Sequence, residues 1–240
     1  MQSEYFSHGG AGAIRGQLDA DNLNYIFTTE SAPKPVPLSF SVRVSDILHQ
    51  LRSTLDHLVV GLAVENGHAA ATSHQFPVTK SEKDFRREVE RKRLVGLAEQ
   101  SILKIEAMQP YKVEDHNSQS TLWILHDLNN LHKHRALSVV TVAYSVNKNI
   151  LVGSPTAPAE IERLGMPLTI VRNAGQEVWR VGLAKPCPGF HVDATFKTEM
   201  GIEHPAKPPA LPMLETIDKL IRYTEKVVGD LLILSPGTSF

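Results

Sequence analysis

The chain has 240 residues, 42% of them hydrophobic and 21% charged, with a formal net charge of -1. These values describe a globular chain with enough apolar material for a sizeable core. They exclude a strong global field for nucleic acid and leave only a local basic patch to serve that purpose.

The single cysteine, Cys187, excludes an intrachain disulfide and fits a reducing, cytoplasmic compartment. No apolar run approaches the ~20 residues of a membrane span, so no membrane association is expected. The first residues lack the apolar stretch of a secretory signal. Residues 1–36 are expected to be a flexible segment and linker. Gly9-Gly10-Ala11-Gly12 lacks the Gly-Lys-Ser/Thr ending of a phosphate loop, and Pro33, Pro35 and Pro37 favour an extended chain.

Residues 37–240 are expected to form a single α+β domain. Its first helix runs from about Arg43 to Asn66, because Val44, Ile47, Leu48, Leu51, Leu55, Leu58, Val59 and Leu62 share an arc of about 120°. Gly67 is a good stop. Ser81 can cap the next helix, near 82–93, with Asp84 at the capping-box position. Gly96 separates it from a helix near 97–108, which Gln109-Pro110-Tyr111 closes. A fourth helix spans about Ser120 to Ala136, completing a helical region at 43–136.

The period then changes. Leu137 to Val146, Asn149 to Gly153, Leu168 to Arg172, Glu177 to Leu183 and Phe190 to Thr198 read as short strands within 137–199, and Asn173-Ala174-Gly175-Gln176 as a hairpin turn. The proline-rich stretch Pro205 to Pro212 leads to a final amphipathic helix at 213–234. The expected architecture is an antiparallel helical bundle with a small antiparallel β-sheet inserted before the C-terminal helix.

Two polar clusters interrupt the apolar helices, at 51–58 (Leu-Arg-Ser-Thr-Leu-Asp-His-Leu) and 128–135 (Leu-Asn-Asn-Leu-His-Lys-His-Arg). On the first helix Arg52 lies about 80° from the centre of the apolar stripe, Asp56 about 120° and His57 about 220°. Arg52 and Asp56 are four apart and can pair. On the fourth helix His132 and Arg135 fall within about 50° of the apolar centre, with Asn129 at its edge. A charge on a buried face needs a partner, and Asp56 is a natural one for the guanidinium of Arg135. The candidate pocket is therefore Arg52, Asp56, Asn129, His132 and Arg135. A register-setting Arg–Asp pair without chemistry is the competing reading.

No metal or cofactor is assigned. His126, His132 and His134 are close in sequence, but no His-Glu-x-x-His motif or converging ligand set is evident, so a metal-dependent hydrolase stays a third alternative. No Gly-x-Ser-x-Gly elbow is present. The basic run from Arg86 to Arg93 is interleaved with Glu88 and Glu90, which points to a salt-bridged wet face.

The two clusters resemble a widespread family of uncharacterised bacterial proteins that share an Arg-Ser-x-Leu-Asp-His helix and an Asn-x-x-Lys-His-Arg helix. The Phe76-Pro77 and Gln109-Pro110-Tyr111 pieces look similar too, so the resemblance covers about residues 40–140 and implies no particular activity. Relatives often carry Asp where this chain has His132. A second resemblance is to the HEPN superfamily of helical bundles, many of them RNases, marked by an Arg with a His five to seven positions later. Arg52 and His57 fit that spacing, as do Arg43 and His49. On a continuous helix Arg52 and His57 diverge by about 140°, a departure from HEPN enzymes, where both converge on the RNA backbone. This resemblance implies RNA or a small anionic ligand as partner, with a homodimer as a possible assembly. Arg52, Asp56, Asn129 and Arg135 would bind, and His57 or His132 would act as general acid or base. A non-catalytic ligand-binding or sensor module is the alternative.

Overall fold

The computed structural model describes residues 13–113, 120–134, 137–145, 151–153, 161–164, 168–204 and 210–233. The fold is α+β, and the chain divides into two compact units. The first comprises residues 1–40 and 138–214, the second residues 41–137 and 215–240. The Gly9–Gly12 stretch and Pro205 to Pro209 lie outside the described residues.

In the first unit, the segment read from sequence as flexible carries two strands, β1 (Ile14–Leu18) and β2 (Asn24–Thr29). They pair antiparallel with Gly16 opposite Phe27. A Cβ at Gly16 would stand 2.5 Å from the ring of Tyr25 and 2.7 Å from that of Phe27, so only glycine lets both rings lie over the strand. Asp19 closes the hairpin. Its carboxylate accepts from the N–H groups of Leu23 (2.9 Å) and Asn24 (3.0 Å) and from Asn24 Nδ2 (2.7 Å). Asn22 takes a left-handed φ of 56°, which its short polar side chain tolerates.

The remaining strands are β3 (Val139–Ser145), β4 (Leu151–Gly153), β5 (Ile161–Leu164), β6 (Leu168–Val171), β7 (Glu177–Leu183), β8 (His191–Asp193), β9 (Phe196–Ile202) and β10 (Leu211–Pro212). They form two four-stranded antiparallel sheets, ordered β1-β2-β7-β5 and β10-β9-β3-β6, and a separate β4-β8 pair. One sheet is thus not a simple insertion before the last helix, because the N-terminal hairpin supplies half of it. The stretch read as one strand over 190–198 is two, β8 and β9. The turn Asn173–Gln176 joins β6 to β7, but these strands belong to different sheets, so it is a crossover and not a hairpin. Gly175 (φ 70°) and the Gln176 side chain, which accepts from Arg172 N at 2.7 Å, shape it. Phe27 stacks on Trp179 at 5.2 Å within a core that includes Val181, Leu183 and Phe190.

The second unit carries the helices α1 (Leu38–Glu65, beginning in the first unit), α2 (Glu82–Glu90), α3 (Glu99–Ala107), α4 (Thr121–His134) and α5 (Met213–Leu232). The α1 stripe is buried as its period dictates: Val44, Leu48, Leu55, Leu58, Val59 and Leu62. Leu122, Leu125 and Leu128 of α4 are fully buried. On α5, Leu220, Thr224, Val227 and Leu231 repeat at helical spacing on its buried face. Ser81 caps α2 by accepting from Asp84 N at 3.1 Å and donating to Asp84 Oδ2 at 2.7 Å. The α2 surface is salt-bridged, with Arg86 on Glu82, Arg87 on Asp84 (2.6 Å) and Arg91 on Glu88 (2.8 Å). No helix among the described residues is long and apolar enough to cross a membrane.

Candidate functional site

Arg52 sits two turns before the C-terminal part of the α1 stripe and is 6% exposed. Its Nη1 donates to Asp56 Oδ1 at 2.6 Å, and its Nη2 donates to the carbonyl of Phe76 at 2.7 Å. The same Asp56 oxygen accepts from Phe76 N at 2.8 Å. The ion pair therefore presents to Phe76 one donor and one acceptor, as a neighbouring strand would. One turn of helix brings both charges together, and the connection from α1 to α2 returns to meet them.

A second clamp holds the same connection. Gln109, at the end of α3, is fully buried. Its Nε2 donates to the carbonyls of Pro77 (2.9 Å) and Ile105 (3.1 Å), and its Oε1 accepts from Thr79 N (2.9 Å) and Thr79 Oγ1 (3.2 Å). The Phe76-Pro77 and Gln109-Pro110 pieces noted in the sequence are thus two sides of one contact. Just beyond, burial, reinforced by the hydrogen bond that Tyr111 donates to Glu106, pushes the Tyr111 hydroxyl well above its ordinary pKa. His74 fixes the start of the connection: Nδ1 accepts from Ala71 N at 3.2 Å, which leaves Nε2–H to donate to the Val95 carbonyl at 3.0 Å. Gly96 has φ 83°, and a Cβ there would meet His68 at 2.6 Å.

The clamped connection forms one wall of a cleft of about 370 Å³. Arg52, Lys80 and Arg87 bring positive charge to it, Asp84 and Glu88 negative charge, and α4 contributes Trp123 and His126. Lys80 Nζ lies 3.7 Å from the centre of the Trp123 ring. The ring of His126 is 5.3 Å from that of Trp123, and its Nε2 lies 2.8 Å from Asn130 Nδ2. With the amide as donor, His126 carries its proton on Nδ1.

The sequence-derived candidates separate against this geometry. Arg52 lines the cleft, and Asp56 stands behind it as its partner. His57 is exposed on α1 and is not among the cleft residues, because five residues turn a helix too far for it to join Arg52. Asn129 is buried, 3% exposed. The side chain of His132 and the whole of Arg135 lie outside the described residues, and with them the Asp56–Arg135 pairing. Sequence reasoning missed Gln109, Phe76, Lys80 and Trp123 as site residues. A long amide held just before a proline at a helix end was the available signal for Gln109. Among the described residues no group of three or more His, Cys, Asp or Glu converges as a metal site would require. No family model matches the chain, and neither a curated protein nor a solved structure is significantly similar to it.

Proposed function

We propose that the helical unit is a binding module whose cleft takes a small anionic ligand with a planar ring, a nucleotide or the end of an RNA strand. The observation that carries this reading is the lining of the cleft: Arg52, Lys80 and Arg87 together with the aromatic Trp123 and His126, around a space of about 370 Å³. A volume of this size suits a nucleotide-sized molecule. Guanidinium and ammonium groups hold phosphate oxygens, while aromatic rings offer π faces to a base. In this reading the helices act as a bundle that carries the cleft, the ligand comes from a cytoplasmic pool, and the sheet unit takes no part in binding.

Binding without cleavage is favoured over HEPN-like RNase chemistry. The histidine that the HEPN spacing pairs with Arg52 is His57, which is exposed and outside the cleft, while His126, which does line the cleft, comes from α4 and has its Nε2 2.8 Å from Asn130 Nδ2. Arg52 is also committed to Asp56 and Phe76, which suits a fixed positive wall better than a group that must follow a reacting phosphate. The test uses Trp179→Phe, which leaves Trp123 as the single tryptophan. Titration with AMP or a short RNA is expected to change Trp123 fluorescence saturably, and Lys80→Ala is expected to weaken binding about fivefold or more. No response to either ligand at low salt overturns the reading, and RNA cleaved in a control incubation restores the RNase alternative.

A further inference from the structure

The two clamps grip opposite edges of the chain between α1 and α2, and their pattern fixes its conformation. Phe76 gives both its N–H and its C=O to the Arg52–Asp56 side. Pro77 O and Thr79 N both go to Gln109 on the other side. Alternation of this kind is that of an extended strand, in which residues two apart present their main-chain groups to the same edge. Val78 therefore presents its N–H and C=O to the same edge as Phe76. Among the described residues nothing hydrogen-bonds either group. Val78 and Arg52 both line the cleft. A main-chain donor and acceptor left open on a half-buried residue that lines a cleft is a feature that a ligand can satisfy.

We infer that Val78 reads the base of a nucleotide bound in the cleft, its N–H donating to a ring acceptor and its C=O accepting from the neighbouring ring donor. For adenine these are N1 and the N6 amino group. This deepens the cleft reading above and rests on it. One open residue supplies one donor and one acceptor side by side, which matches the Watson–Crick edge of a base. An added peptide strand would require alternate open residues along the edge, and Phe76, two positions back, is already taken. Arg52 and Lys80 flank Val78 in the cleft and suit the phosphate of the same ligand.

The experiment is calorimetric titration of the full chain with three probes: AMP, N6,N6-dimethyl-AMP, which lacks the amino donor, and ribose 5-phosphate, which lacks the base. The dimethyl analogue loses the bond to the Val78 carbonyl and ribose 5-phosphate loses both bonds, so AMP is expected to bind about fivefold more tightly than the first and about tenfold or more tightly than the second. Val78→Pro removes the N–H without breaking any protein hydrogen bond among the described residues. It is expected to abolish that preference while the thermal unfolding transition stays in place. Equal binding of all three probes overturns the base-reading role and leaves the anion cleft standing. Binding of none of them removes the cleft reading and this inference with it. If Val78→Pro does not fold, the comparison of AMP with its dimethyl analogue on the parent chain decides alone.

Discussion

Replacing Asp56 with alanine tests the clamp that shapes the cleft. The substitution removes the acceptor for Arg52 Nη1 at 2.6 Å and for Phe76 N at 2.8 Å. It leaves a guanidinium with 7% side-chain exposure facing only the Phe76 carbonyl. Breaking a fully buried ion pair costs about 3–5 kcal/mol. The Asp56 side chain is 30% exposed, so water replaces part of what is lost, and about 2–3 kcal/mol is the expected net cost. The assay is urea unfolding in the Trp179→Phe background, where Trp123 reports the helical unit alone. With a slope of about 1–3 kcal/mol per molar urea, the midpoint should fall by roughly 0.7–3 M. Asp56→Asn keeps an oxygen for Phe76 N and should lose about half as much. An unfolding free energy for Asp56→Ala within about 0.5 kcal/mol of the parent would refute the clamp, because that is the size of an ordinary surface substitution.

Three further outcomes follow from the same geometry. Gln109→Leu strands Thr79 N and the carbonyls of Pro77 and Ile105 in a buried site; a loss of about 3 kcal/mol or more is expected by urea unfolding, and a loss below about 1 kcal/mol would contradict the second clamp. Gly96→Ala forces an L side chain into φ 83° against His68, whose Cγ and Cβ would lie 2.6 and 2.7 Å away, and should cost about 1–3 kcal/mol; in a cycle with His68→Gly only the steric part is recovered, and full recovery would show that the backbone conformation carries no cost. The side chain and main-chain N–H of Asn24 hold the Asp19 carboxyl below its ordinary pKa. Its folded pKa is depressed, so its contribution to the β1–β2 hairpin is present above about pH 4 and is lost as pH falls through the lower folded value. A carboxyl NMR titration should place Asp19 below the usual Asp range, and Asp19→Asn should remove that part of the acid dependence; an ordinary Asp titration would contradict the assignment.

The helices were legible in the sequence because their signals are local. A 3.6-residue apolar period marks α1, a Ser81–Asp84 cap marks the start of α2, and Gly96 sits where the chain turns with positive φ. The Arg52–Asp56 pair was legible for the same reason, since four residues bring two side chains together on any helix. The sheets were harder. β1 and β2 are short, and β2 finds its other partner, β7, some 150 residues away, with Tyr25 opposite Val181. No local period encodes such a pairing. The glycine-rich tract before β1 and the prolines after β2 also read as linker and hid the strands between them. The clamp on Phe76 escaped notice because its acceptor and donor are main-chain groups, which carry no residue signature. Trp123 belongs to no motif in the sequence, and only the approach of Lys80 across more than forty residues shows its place at the cleft.

Hydrogen exchange with and without AMP most directly locates the proposed site. Protection gained at residues 75–80 and around Trp123, with the strands of the sheet unit unchanged, is the result expected of a ligand held between the clamped connection and α4. Protection confined to the sheet unit, or none at a concentration that saturates the fluorescence change, would contradict it.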